Sequence, residues 1–110
     1  LLMQQIRRYI DLNLGQPDLG PTQIAAAHFI SIRHLHGLFR EKGTTVSTWI
    51  REQRLEKCRR DLIDPLLAHL PVGAIAGRWG FIDAAHFSRV FKAAYEMAPS
   101  ELRARTLAGA

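Results

Sequence analysis

Arg33, His36, Gly37 and Arg40 stand at spacing i, i+3, i+4 and i+7, and Ala85, Ser88, Arg89 and Lys92 repeat those four positions 52 residues later. On a helix turning by about 100° per residue, each set falls on one face. Two cations among small or polar neighbours suit the major groove of a duplex. A guanidinium pairs with guanine O6 and N7, a serine or histidine donates or accepts, and an alanine meets a thymine methyl. A charged row opposite an apolar stripe is, for one helix alone, simply a solvated face. The repetition at a single offset is what points to a shared task.

Little else in the chain suggests chemistry. His34 and His36 are two residues apart and point to different sides of a helix, so they form no metal site on their own. His34 and His86 occupy equivalent positions off the two rows and are assigned to packing or backbone contact. Cys58 is the only cysteine, which excludes an internal disulfide and fits a small buried position in a reducing compartment. Trp49 and Trp79 are assigned to packing rather than base stacking. No nucleophile–base pair, phosphate-binding glycine loop or paired carboxylates emerge. No catalytic, cofactor-binding or metal-binding residue is therefore assigned.

The elements that must carry the two rows are legible as helices, and the fold class is all-α with about seven of them. Leu2, Ile6, Ile10 and Leu14 repeat at helical spacing until Gly15 and Pro17. Pro21 starts a second helix, which carries Ile24, Ala25 and Ala27 and stops near His28. Ser31 caps a third, turning Ile32, Leu35, Leu38 and Phe39 inward and ending before Gly43. Thr44 or Thr45 opens a fourth of roughly 17 residues, spanning about 25 Å and ending before Pro65. A short helix around Pro71–Trp79 follows, then a longer one capped by Asp83, with Phe87, Val90, Phe91 and Ala94 as its apolar stripe. The last begins at Pro99.

These elements also repeat. Ile24-Ala25 matches Ile75-Ala76 at an offset of 51, while Ser31, Leu35 and Phe39 match Asp83, Phe87 and Phe91 at 52. The extra residue falls in the turn between paired helices. Each copy is thus short helix, tight turn, longer helix, the anatomy of a helix-turn-helix. Gly80 supplies the left-handed residue that such a turn needs, and Phe29 stands in its place in the first copy. The copies give a division into residues 1–43, a linker helix 44–64, and residues 65–110.

Composition agrees with one globular domain. The 110 residues carry 15 Lys and Arg against 10 Asp and Glu, a formal charge of +5, and are 47% hydrophobic. The longest stretch without a charged side chain, Leu19 to Ile32, is too short for the ~20 residues of a membrane helix. A basic excess is a cue for polyanionic partners. The first residue is leucine, and the chain is expected to be a piece of a longer protein.

The segment Gly80-Phe81-Ile82-Asp83-Ala84-Ala85-His86-Phe87-Ser88-Arg89-Val90-Phe91-Lys92, followed by Ala98-Pro99, resembles the signature of the AraC/XylS transcriptional regulators. Ile24-Ala25, Ser31, Leu35 and Phe39 agree with the first half of that family, and Arg54-Leu55 with Cys58 and Leu62 resembles its linker helix. The resemblance implies a bacterial, cytoplasmic and nucleoid-associated regulator. It implies two helix-turn-helix subdomains joined by a rigid helix, reading adjacent major grooves ~34 Å apart on double-stranded DNA. Carried over by position, Arg33, His36, Gly37, Ala84, Ala85, Ser88 and Arg89 contact bases, while Arg40 and Lys92 reach phosphates. RNA polymerase is an implied partner, and an effector or dimerisation domain is expected upstream of Leu1. Gly37, Phe29 and Ala98 depart from the family pattern, which implies weaker reading by the first half. The alternative is a helical protein-interaction module that does not bind DNA, and an exposed apolar docking patch would distinguish it.

Overall fold

A computed structural model describes residues 1–108. Among the described residues there are seven α-helices and no strand: α1 Leu2–Asn13, α2 Pro21–Ala27, α3 Ile32–Glu41, α4 Val46–Leu62, α5 Val72–Arg78, α6 Ala84–Tyr95 and α7 Pro99–Ala108. A 3-10 turn, Pro65–Leu67, follows α4 and is the one helical element that the sequence pattern did not predict. Asp64 sets it by accepting from the Leu66 amide at 2.9 Å, with Pro65 pre-shaped for the first position. Contacts divide the chain into two compact units, one from Leu1 to Arg54 and one beginning at Leu55. The division falls inside α4, whose first half belongs to one unit and whose second half belongs to the other.

Within the first unit, Ile6, Ile10, Leu14, Ile24, Ala25, Leu35, Phe39, Val46 and Ile50 are buried. In the second, Leu55, Cys58, Leu62, Ile75, Ala76, Phe87 and Phe91 form the core. The matched pairs Ile24/Ile75, Ala25/Ala76, Leu35/Phe87 and Phe39/Phe91 are all buried, so each copy uses the same inward positions. Two stripe assignments fail at their margins. Ile32 is 42% exposed, because it is the first residue of α3 and has no preceding turn to cover it. Ala94 is exposed near the end of α6.

The turns between paired helices superimpose bond for bond in the chain pattern. In the first copy the amides of His28 and Ile30 both reach the Ala25 carbonyl, at 3.2 and 3.1 Å, and Phe29 reaches Ala26. In the second, Trp79 and Phe81 both reach Ala76, at 3.2 and 3.1 Å, and Gly80 reaches Gly77. Closing this pattern requires a left-handed residue. Gly80 adopts φ 91°, and Phe29 adopts φ 55° despite its Cβ. The inserted residue of the second turn is Ile82, which is exposed and lengthens the path to Asp83 without entering the core.

Each unit is also tied by an arginine from its closing helix. Arg54 donates to the carbonyls of Leu14 and Gln16 (3.0 and 2.6 Å), just beyond the end of α1. Arg103 donates to Leu62, Leu67 and Leu70 (3.3, 2.9 and 2.5 Å), at the end of α4 and through the loop that follows. In both cases a charged donor reaches the carbonyl at a helix end, Leu14 or Leu62, and ties it to carbonyls of the following loop, of which Gln16 and Leu67 also accept a backbone amide.

Phe29 is 96% exposed, so its side chain returns no packing energy for its left-handed backbone. Replacing it with glycine relieves a cost of about 1–2 kcal/mol and adds back part of that as unfolded-chain entropy. Phe29→Gly is expected to raise unfolding stability by about 0.5–1 kcal/mol, read by urea denaturation. An unchanged or lowered midpoint would show that the strain argument is wrong.

Candidate nucleic-acid interface

The two rows are carried by α3 and α6, and both helices begin on a side-chain cap. The Ser31 hydroxyl accepts from the His34 amide at 2.9 Å. The Asp83 carboxylate accepts from the Ala85 and His86 amides at 2.9 and 3.1 Å. His34 and His86 therefore matter through their backbone N–H. Their side chains are exposed, which removes packing from the two roles assigned to them and leaves backbone contact. The Asp83 carboxyl is held below the usual carboxylate range by the His86 amide first, then by the Ala85 amide and the positive charge of Arg89.

Arg33, His36 and Arg40 are exposed on α3, and Gly37 is half-exposed between them. A Cβ built on Gly37 meets nothing within 4 Å, so the helix surface is bare at that point. Ala84, Ala85, Ser88, Arg89 and Lys92 are all exposed on α6. Helical spacing places Arg33, His36, Gly37 and Arg40 opposite Leu35 and Phe39, and Ala85, Ser88, Arg89 and Lys92 opposite Phe87 and Phe91, whereas Ala84 is exposed as the first residue of α6 at the margin of its row. Sequence reasoning missed Ile32 as a surface residue, although the 52-residue offset pairs it with Ala84 and offered the signal.

Behind the rows, aromatic residues brace each unit. Trp49 meets Phe39 edge-on at 6.1 Å, with the Arg7 guanidinium 4.8 Å above its ring. Trp79 donates its indole N–H to Asp61 at 2.7 Å, and Arg78 pairs with the same carboxylate at 3.3 Å. Phe81, Phe87, Phe91 and Tyr95 run in a chain of tilted contacts, 4.9, 5.6 and 4.8 Å apart. The packing role assigned to both tryptophans is what the structure shows.

At the end of this chain the Tyr95 hydroxyl donates to Glu56 at 3.2 Å, and Arg59 grips the same carboxylate through two bonds of 2.6 and 2.9 Å. The Arg59 bonds are the main reason that the Glu56 carboxyl lies at about 2 rather than 4.5. Burial, followed by the Glu56 charge, pushes the Tyr95 phenol up to about 12. A carboxylate held lower in the folded than in the unfolded chain stabilises the fold above pH 4.5, and that contribution disappears as pH falls through about 2. Glu56→Gln is expected to be less stable than the parent at pH 6, with the gap closing towards pH 2. Parallel stability curves over that range would sink the assignment.

Among the described residues no three His, Cys, Asp or Glu side chains gather as a metal site, and no helix is long and apolar enough to cross a membrane. Comparison with known proteins agrees with the geometry. A family model described as a helix-turn-helix domain matches residues 24–105. The chain is 37% identical over 101 residues to the transcriptional activator NphR of a Rhodococcus species, covering 92% of this chain and 29% of that protein. It is 31% identical over 98 residues to the arabinose operon regulatory protein of Escherichia coli K12, covering 88% and 32%. The chain thus spans about a third of the length of these relatives. A solved AraC-type DNA-binding regulator from Chromobacterium violaceum is 26% identical, with a TM-score of 0.85 over 96% of this chain and 91% of that one. With its duplicated helix-turn-helix and the matching turns, caps and core of the two copies, the chain belongs to the AraC/XylS family of helix-turn-helix transcriptional regulators.

Proposed function

We propose that this chain is the sequence-specific double-stranded DNA-binding domain of a bacterial regulator, acting inside the cytoplasm at the nucleoid. The observation that carries the reading is the paired exposed row on α3 and α6, with cations at matched or adjacent positions and small residues between them. In this reading residues 1–43 and 65–110 are the two reading subdomains and 44–64 is the linker. Each recognition helix enters one of two adjacent major grooves.

Affinity and register come from phosphates, and sequence comes from base edges. Arg40 and Lys92 serve the first role. Arg33, His36 and Gly37 on α3 and Ala84, Ala85, Ser88 and Arg89 on α6 serve the second. Arg89 carries the strongest discrimination, since a guanidinium matches guanine O6 and N7 together. Ala84 and Ala85 admit close approach beside it. Gly37 offers no side chain at the position equivalent to Arg89, so the α6 half contributes more hydrogen-bonded readout than the α3 half. RNA polymerase and an upstream effector or dimerisation domain complete the regulator in this proposal.

Arg89→Ala is expected to cost about 1–3 kcal/mol of operator binding and relax preference at one base position. Lys92→Ala is expected to weaken all sequences alike and reduce the dependence of binding on salt. Titrations of a selected operator and a random duplex at two salt concentrations check both. Binding that ignores salt, or an Arg89→Ala protein with unchanged affinity and preference, overturns the reading in favour of a protein-docking module.

A further inference from the structure

We infer that Ile32 is a specificity-determining residue of α3 and reads the 5-methyl group of a thymine. The inference rests on α3 being a groove-entering helix. Three observations carry it. Ile32 opens α3 immediately after the Ser31 cap, as Ala84 opens α6 immediately after the Asp83 cap. It therefore holds the same place on its helix as a residue of the proposed reading surface. It is 42% exposed although it is a large branched hydrocarbon, so the core accounts for only part of it. At this exposed first position a β-branched side chain is also a poorer helix former than alanine, so helix propensity does not call for isoleucine there.

The surroundings select the occupant. His36 lies one turn further along the same side, and Arg33 and Arg40 complete an exposed cationic frame. An apolar side chain framed by cations suits an apolar group embedded in a polyanion, and in the major groove that group is the thymine methyl. Gly37 stands on the neighbouring face of α3, about 140° round the helix from Ile32. A Cβ there meets nothing within 4 Å, so no neighbour in the fold requires glycine in the interior of α3. Gly73 and Gly77 are similarly open, but they lie in the first and last turns of the short α5, where glycine costs less. A bare surface at Gly37 lets the row face of α3 sit close to what it meets, and Ile32 reaches a base edge from the first turn, at the margin of that face. The α3 half thus adds a methyl contact by Ile32 to the base reading proposed for Arg33 and His36.

The test replaces thymines one at a time by deoxyuridine, which removes only the methyl, across an operator selected from a random duplex library. Wild-type binding is expected to weaken about fourfold at one thymine in the half contacted by α3, the value of one buried methyl. Ile32→Ala is expected to lose a similar factor on the thymine duplex and to be indifferent to deoxyuridine at that position, with unchanged helical circular dichroism. Arg89→Ala should keep the wild-type deoxyuridine sensitivity. A flat deoxyuridine scan with intact salt-sensitive binding overturns the inference alone, as does an Ile32→Ala protein still sensitive at that thymine. Absence of any salt-sensitive duplex binding overturns the proposed function as well. A flat scan in which Ile32→Ala abolishes association with a protein partner reassigns the residue to protein contact.

Discussion

The structure depends on one backbone constraint applied twice, a left-handed residue that lets two amides converge on a single carbonyl. In each unit that convergence stops the first helix of the pair and sends the chain into the second at a fixed angle. Everything that follows is downstream of it. The caps at Ser31 and Asp83 can form only if the chain leaves the turn in extended backbone, as both residues do. The cores close because Leu35 and Phe39, or Phe87 and Phe91, then fall inward against Ile24-Ala25 or Ile75-Ala76. The exposed rows are what remains on the opposite side. At Gly80 the constraint is met without a Cβ, whereas at Phe29 it is met against one. That the pattern of bonds survives there indicates that the packing of the pair outweighs a local cost of about 1–2 kcal/mol.

The second recurring solution concerns helix ends. Each unit contains a helix that stops just before the helix-turn-helix begins, α1 in one and α4 in the other, and each leaves carbonyls without intrahelical partners. Arg54 and Arg103 supply the missing donors from the helix that closes the unit. A guanidinium suits this work because it keeps its charge and offers several donors in one plane. In the second unit α4 does what α1 does in the first, while its N-terminal half closes the first unit and carries Arg54. One helix therefore serves both units in opposite roles. Each half carries its own buried stripe, Val46 and Ile50 in the first and Leu55, Cys58 and Leu62 in the second, and because the two stripes lie on different faces no single apolar stripe runs the length of the helix.

How much was legible in the residues follows from the same physics. Helix starts were readable because Ser31, Asp83, Pro21 and Pro99 each act locally, through a cap or a fixed φ. The repeat was readable because core positions recur at a nearly constant offset. Arg54 was legible only within the Arg54-Leu55 resemblance to a linker helix, without its carbonyl partners. Arg103 was not legible, because its carbonyl partners lie 33–41 residues away and nothing in sequence marks a carbonyl as unsatisfied. The 3-10 turn after Asp64 escaped for the opposite reason: its signal is one short Asp-Pro step with no periodicity. Ile32 was misread because periodicity assigns a face but ignores position along the helix. The first residue of a helix has no turn before it to share its burial. The first turn of a helix is therefore where sequence patterns mislead most, since burial there depends on the path of the incoming chain.

The duplication also explains why the two halves can differ so much in what they present. Folding fixes only the inward positions, the cap and the turn, and both copies satisfy those with similar residues. The outward positions are released from that demand, so Gly37 can stand opposite Arg89 in the repeat, and Ile32 opposite Ala84, without altering either core. A surface freed in this way diverges according to what it meets. In α6 the result is a guanidinium set among alanines. In α3 it is a histidine and two arginines around a bare glycine and an exposed isoleucine. The same scaffold thereby supports two chemically distinct surfaces. That difference resides in side chains that the fold itself does not need.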